Sequence, residues 1–286
     1  MAIKCQEENT RSTESTPSTL LARPTVLVFD SGVGGLSVYN ESRQLLPNLH
    51  YIYAFDNEAF PYGEKPQDFI VERVVQIVSA VQKRHQLATV VIACNTASTI
   101  SLPALREHFM FPVVGVVPAV KPAAKLTRNG IIGILATRAT VHRSYAHKLI
   151  ARFATNCKTL LLGSAKLVEL AEAKLQGDNV SLLVLQQILY PWLKLSEPPD
   201  TVVLGCTHFP LLSEELKLVL PNDIRLVDSG AAIARRTAWH LANLEKPPAL
   251  TTEKNLVYCM MITHQVATLW PVLQRFGFES LEPLPL

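Results

Sequence analysis

Two short stretches of the chain read almost alike: Thr89-Val90-Val91-Ile92-Ala93-Cys94-Asn95-Thr96 and Thr201-Val202-Val203-Leu204-Gly205-Cys206-Thr207-His208. In each, a β-branched run of the kind buried in parallel sheets stops at a cysteine, followed by polar residues able to cap a helix. The cysteines lie 112 positions apart (206 − 94). That spacing is too long for a solenoid repeat and suits a duplicated α/β half. The flanks repeat as well: Val26 to Ser31 has a counterpart in Ile131 to Thr137, and Val113 to Val117 in Ile224 to Asp228. Such a chain is expected to form two related α/β halves. Each carries a thiol at the C-terminal end of a strand, where parallel sheets bind ligands, and the two thiols can face one another across a cleft.

The rest of the pattern agrees. Val26 to Asp30 reads as a strand running through Ser31-Gly32-Val33-Gly34-Gly35 into a helix over 36–46 that stops before Pro47. The turn is no dinucleotide fingerprint, since its third glycine would fall at Ser37. Its glycines suit either backbone approach to a small anion at a helix N-terminus or a tight turn without a ligand. Tyr51 to Phe55 is the next strand. The loop Phe60 to Lys65 then leads to a helix with an apolar stripe through Ile70, Val74, Ile77, Val78 and Val81. After Cys94 a helical stretch is expected to be interrupted by Pro103. Further strands are expected near 131–136, 158–162, 201–205 and 225–228, with helices at 167–175 and 181–189. A helix from Gly230 to about Asn243 precedes an edge strand over 255–261, and 280–286, with two prolines, reads as a tail. Residues 1–21, polar and rich in Ser and Thr, form an extension outside the core.

Composition narrows the function. An apolar fraction of 48% and a charged fraction of 18% over 286 residues fit roughly two folded domains. No apolar run is long enough to span a membrane, so no membrane association is expected. A net charge of +3 with scattered basic residues gives nucleic acid no obvious footing. The five cysteines (Cys5, Cys94, Cys157, Cys206, Cys259) contain no CxxC pair, which argues against disulfides and zinc knuckles. With no signal-peptide pattern, a reducing cytoplasm is expected.

Cys157 and Cys259 read as small core hydrophobes. Cys94 and Cys206 differ because each precedes an expected helix start, whose positive end lowers a thiol pKa. A thiolate and a thiol on opposite faces of one carbon make a two-base site: one removes a proton, the other donates one from the far side, and the product is the mirror image. Competing uses are less well supported. Cys206 and His208 lack further zinc ligands, a single nucleophilic cysteine leaves the duplication unexplained, and redox pairs usually lie close in sequence. Asp30 and His208 stand where they could orient the two thiols or simply cap helices. Ser31, Asn95, Thr96 and Thr207 offer donors and acceptors suited to an amino acid.

At these residues the chain resembles the cofactor-independent aspartate/glutamate racemase superfamily, and within it the branch acting on glutamate. The likeness runs from Val26 to Trp239 through Phe29-Asp30-Ser31-Gly32-Val33-Gly34-Gly35, Pro61-Tyr62-Gly63-Glu64-Lys65, Cys94-Asn95-Thr96, Gly205-Cys206-Thr207-His208-Phe209-Pro210 and Val227-Asp228-Ser229-Gly230. It implies an α/β fold of two pseudo-symmetric domains around a central cleft, no cofactor and no metal. Cys94 would act on D-glutamate and Cys206 on L-glutamate, with Asp30, Ser31, Tyr62, Gly63, Asn95, Thr96, Thr207 and His208 around the substrate. Glu172 matches the carboxylate that accompanies the histidine in relatives, with Glu169 one helical turn away. The resemblance further implies that the domains exchange their last strands, giving 22–98 plus 210–286 and 99–209, whereas the residue pattern alone divides the chain near 120. The implied process is D-glutamate supply for peptidoglycan, with UDP-N-acetylmuramoyl-L-alanine as a possible activator acting with the N-terminal extension. A related enzyme of different substrate, or an added regulatory role, stands as the alternative.

Overall fold

The computed structural model describes residues 21–286, so residues 1–20 of the extension, Cys5 among them, lie outside the described residues. Eleven strands are present among them: β1 (Arg23–Asp30), β2 (His50–Phe55), β3 (Leu87–Ile92), β4 (Val113–Gly115), β5 (Ile131–Ala136), β6 (Lys158–Gly163), β7 (Thr201–Leu204), β8 (Arg225–Val227), β9 (Leu250–Thr251), β10 (Leu256–Cys259) and β11 (Ser280–Pro283). They build two sheets. The first runs β11-β10-β2-β1-β3-β4, with β9 added antiparallel to β1, and the second runs β6-β5-β7-β8. Apart from β9, every pairing is parallel.

The duplication shows directly in strand order, since β2-β1-β3-β4 corresponds to β6-β5-β7-β8. Each sheet is covered on both faces, which is why its strands are continuously apolar. Along β1, Val26 and Val28 join one core cluster while Leu27 and Phe29 join another. In the second sheet Val202 and Leu204 face one cluster and Val203 the other. This alternation is the two-residue period of a strand. The helix Gln67–Gln82 buries Ile70, Val74, Ile77, Val78 and Val81, the stripe expected from its spacing.

Four expectations are corrected. β4 pairs with β3 and β8 with β7, so the sheets change over after β4 and after β8 rather than at 98 and 210, while β10, paired with β2, returns the C-terminal residues to the first sheet as expected. Crossovers return β4 beside β3 and β8 beside β7. β10 is not an edge strand, because residues 280–283 pair with it as β11 instead of trailing as a tail. Pro283 is accommodated there because it ends an edge strand. Finally, the helix Asn95–His108 continues through Pro103, anchored by buried Ala97 and Leu105 in the cluster that holds Leu27 and Phe29.

Candidate active site

β1 delivers Asp30, which is almost wholly buried. Its Oδ1 accepts the Gly32 N–H at 2.7 Å, and its Oδ2 accepts the Thr207 hydroxyl at 3.0 Å. Thr207 follows β7, so this carboxylate ties the two halves together, helped by Ser37 Oγ donating to the Thr207 carbonyl at 2.8 Å. Burial pushes the Asp30 carboxyl up, against the charge of His208 and these hydrogen bonds. The anion cradled by the glycine turn is thus the chain's own Asp30. Gly35 packs against the Asp30 side chain and Gly34 against the His208 ring, so the glycines serve close approach.

β3 delivers Cys94, which caps the helix Asn95–His108 by accepting the Ala97 N–H on Sγ at 3.4 Å. Ser31 Oγ lies 3.3 Å from Sγ and 3.4 Å from Asp30 Oδ1. The expected link between Asp30 and Cys94 therefore runs through Ser31. The expected lowering of this thiol's pKa does not survive folding. Burial, followed by the nearby charge of Asp30, pushes it up to about 12, outweighing the helix-end amide.

β7 delivers Cys206, but Thr207 and His208 after it form a turn into a short 3-10 helix (Phe209–Leu212), not an α-helix start. The partner of this thiol is a side chain. Cys206 Sγ lies 3.8 Å from His208 Nδ1, and His208 Nε2 lies 3.1 Å from Glu172 Oε1. Burial opposes charge on His208, yet the hydrogen bonds to Cys206 and Glu172, with the charge of Asp30, raise it to about 10. Glu169 instead pairs with Lys166 and lines the cavity, so Glu172 is the glutamate that touches His208.

Cys94 and Cys206, 7% and 8% exposed, line one cavity of about 330 Å³ together with Ser31, Tyr62, Gly63, Asn95, Thr96, Thr207 and His208. This volume is at the low end for ligand pockets. Of the expected residues, only Asp30 and Glu172 stand behind the wall. Glu172 faces a second cavity of about 220 Å³ instead. Tyr62 contributes differently from expectation, because its hydroxyl donates to Asp56 Oδ2 at 2.7 Å. Asp56 in turn accepts two bonds from Arg73, at 2.8 and 2.9 Å. The loop that walls the cavity is anchored from beneath by this cluster. Thr137 and Thr140, which the sequence reading passed over, also line the cavity. The repeat itself held the signal, since Thr137 occupies in the second half the place of Ser31 in the first.

A family model described as Asp/Glu/Hydantoin racemase matches residues 30–237. The chain is 77% identical over 286 residues to a glutamate racemase of Pectobacterium carotovorum subsp. carotovorum, covering 100% of both chains. It is 69% identical over 286 residues to a glutamate racemase of Salmonella typhimurium, again over 100% of each. Among solved structures it is similar to Escherichia coli glutamate racemase in complex with L-glutamate and the activator UDP-MurNAc-Ala, with a TM-score of 0.90 and 70% identity, covering 92% of this chain and 98% of that one. It also resembles a glutamate racemase of Bacillus anthracis, with a TM-score of 0.77 and 30% identity over 92% and 98% of the two chains.

Proposed function

Because this chain belongs to the Asp/Glu/hydantoin racemase family, we propose that it interconverts L- and D-glutamate with Cys94 and Cys206 as its two acid/base groups. The observation that carries this reading is the pair of buried thiols, one from each sheet, on the wall of a single cavity. One thiolate removes the Cα proton, and the electron pair left behind spreads into the α-carboxylate. The thiol on the opposite face then delivers a proton to Cα. Configuration inverts and no group is gained or lost, so the chemistry needs no cofactor. After one turnover, thiol and thiolate have changed places.

Ser31, Asn95, Thr96, Thr207 and the Tyr62–Gly63 wall take the ammonium and the carboxylates of the substrate. Ser31 links Cys94 to Asp30, while His208, held charged beside Glu172, keeps a proton within reach of Cys206. Cys94 acts on the D enantiomer and Cys206 on the L enantiomer, as the resemblance implies. In the cell we place the enzyme in the cytoplasm, supplying D-glutamate for peptidoglycan. No helix among the described residues is long and apolar enough to cross a membrane. By likeness to the Escherichia coli complex, we assign UDP-MurNAc-Ala as its activator.

The test is racemisation of L- and D-glutamate, and of L-aspartate for comparison, by Cys94→Ser and Cys206→Ser. A serine hydroxyl is a far weaker acid than a thiol, so each variant should lose roughly 10³-fold or more in kcat while remaining folded. Near-parental turnover in either folded variant refutes the two-thiol scheme. A parent that turns over aspartate in preference to glutamate refutes the substrate.

A further inference from the structure

Arg143 immediately precedes the helix Ser144–Phe153. Its Nη1 is buried and has no hydrogen-bond partner among the described residues, and Asn95 Oδ1 is orphaned in the same way. Both residues line one small pocket of about 10 Å³, beside Thr96, Thr140 and Tyr145. That volume matches a single water-sized group. Asn95, Thr96 and Thr140 also line the large cavity, so the two spaces share a wall.

A guanidinium N–H taken out of water without a partner is costly, and partial burial presses the Arg143 pKa down while the charge of Cys94 pulls it back up. The other charges acting on Cys94 are Asp30 and Cys206, which disfavour its thiolate when negative, and the Arg138 side chain in the cavity wall is exposed to solvent. Something positive is needed where the proton is exchanged. Resting on the racemase reading, we infer that Arg143 is a positioning residue for charge: from behind the Asn95, Thr96 and Thr140 wall, its guanidinium stabilises the negative charge handled on the Cys94 side. When the Cα–H bond breaks, the proton passes to Cys94 Sγ and the electron pair passes into the substrate's α-carboxylate. The total charge is unchanged and shifts by a few ångströms. A fixed cation near both locations serves the thiolate before transfer and the delocalised carbanion after it.

The experiment compares Arg143→Gln and Arg143→Lys in the full-length chain. Arg143→Gln should lower kcat roughly 10- to 100-fold with KM within about threefold, because without the nearby cation the Cys94 thiolate that takes the proton is less populated. Arg143→Lys should recover most of the loss. A second readout needs no turnover: iodoacetamide alkylation of the Cys94 peptide, followed by mass spectrometry, should slow roughly 10-fold in the Gln variant for each pKa unit of lost thiolate and recover with Lys. A folded Gln variant with parental kcat overturns the assignment. So does a loss that Lys fails to recover and that leaves Cys94 alkylation unchanged. If the parent racemises neither enantiomer, the racemase reading fails, and the alkylation series still tests the coupling of Arg143 to Cys94.

Discussion

Replacing Gly34 by alanine should disable the Cys206 side of the site through a single methyl group. The backbone permits alanine there, since the glycines with positive φ are Gly130, Gly177 and Gly277. The obstacle is the His208 ring. A Cβ on residue 34 would fall 2.3 Å from Nδ1, 2.6 Å from Cε1 and 2.7 Å from Cγ. To reach an ordinary contact of 3.4 Å the imidazole must retreat by about 1.1 Å (3.4 − 2.3). It is held between Cys206 at 3.8 Å and Glu172 at 3.1 Å, and cannot retreat that far and keep both. A misplacement of about 1 Å near reacting atoms costs on the order of 10²-fold in rate, and overpacking costs about 1–3 kcal/mol of stability. The assay is the decay of the circular dichroism signal of L-glutamate, with a thermal melt of the same sample. In a His208→Ala background the three atoms the methyl meets first are gone, so the second substitution should add little, and a double-mutant cycle exposes this. Parental kcat in Gly34→Ala, or losses that simply add across the cycle, would refute the reasoning.

Glu172→Gln turns the carboxylate hydrogen bond that helps hold His208 at about 10 into a weaker, neutral one. With the folded pKa raised above the unfolded value of about 6.5, this histidine's stabilisation is full below about pH 6.5 and is lost as pH rises through about 10. In the variant that loss should begin at lower pH, and superimposable plots of melting temperature against pH for parent and variant would contradict it. Tyr62→Phe removes a hydrogen bond to the buried Asp56 carboxylate. It should cost about 1.5–3 kcal/mol of stability and leave KM within about threefold; a tenfold rise in KM at unchanged stability would mean the hydroxyl serves substrate instead. UDP-MurNAc-Ala should accelerate racemisation by the full-length chain more than by a chain starting at Ala22, and an identical activation curve for both would clear the extension of any part.

Features written into the chain locally were legible. The β-branched runs, the thiols that end two of them and the stripe from Ile70 to Val81 follow from the periods of strand and helix. Features decided by distant partners were not. Asp56 lies in a loop and Arg73 on a helix, and only folding brings them together under Tyr62. Glu172 and Glu169 share one helix, and what separates them is which one meets His208 across the packed interface. The sign of the Cys94 shift was misread because a helix end can be seen in a sequence, whereas the burial that outweighs it belongs to the assembled core. Residues 280–283 passed for a tail because two prolines mask a strand that needs only one neighbour.

The two matching strand orders carry a consequence for kinetics. The halves are related by repetition, and two assemblies of L-residues cannot be reflections of each other. The surroundings of the thiols must therefore differ, Ser31 and Asp30 on one side, His208 and Glu172 on the other. The two forms of glutamate are reflections and have equal free energy in water. Detailed balance then makes kcat/KM identical in the two directions for this enzyme and for every variant of it. All of the asymmetry in the protein must appear within each direction, as paired changes in kcat and KM whose ratio is conserved.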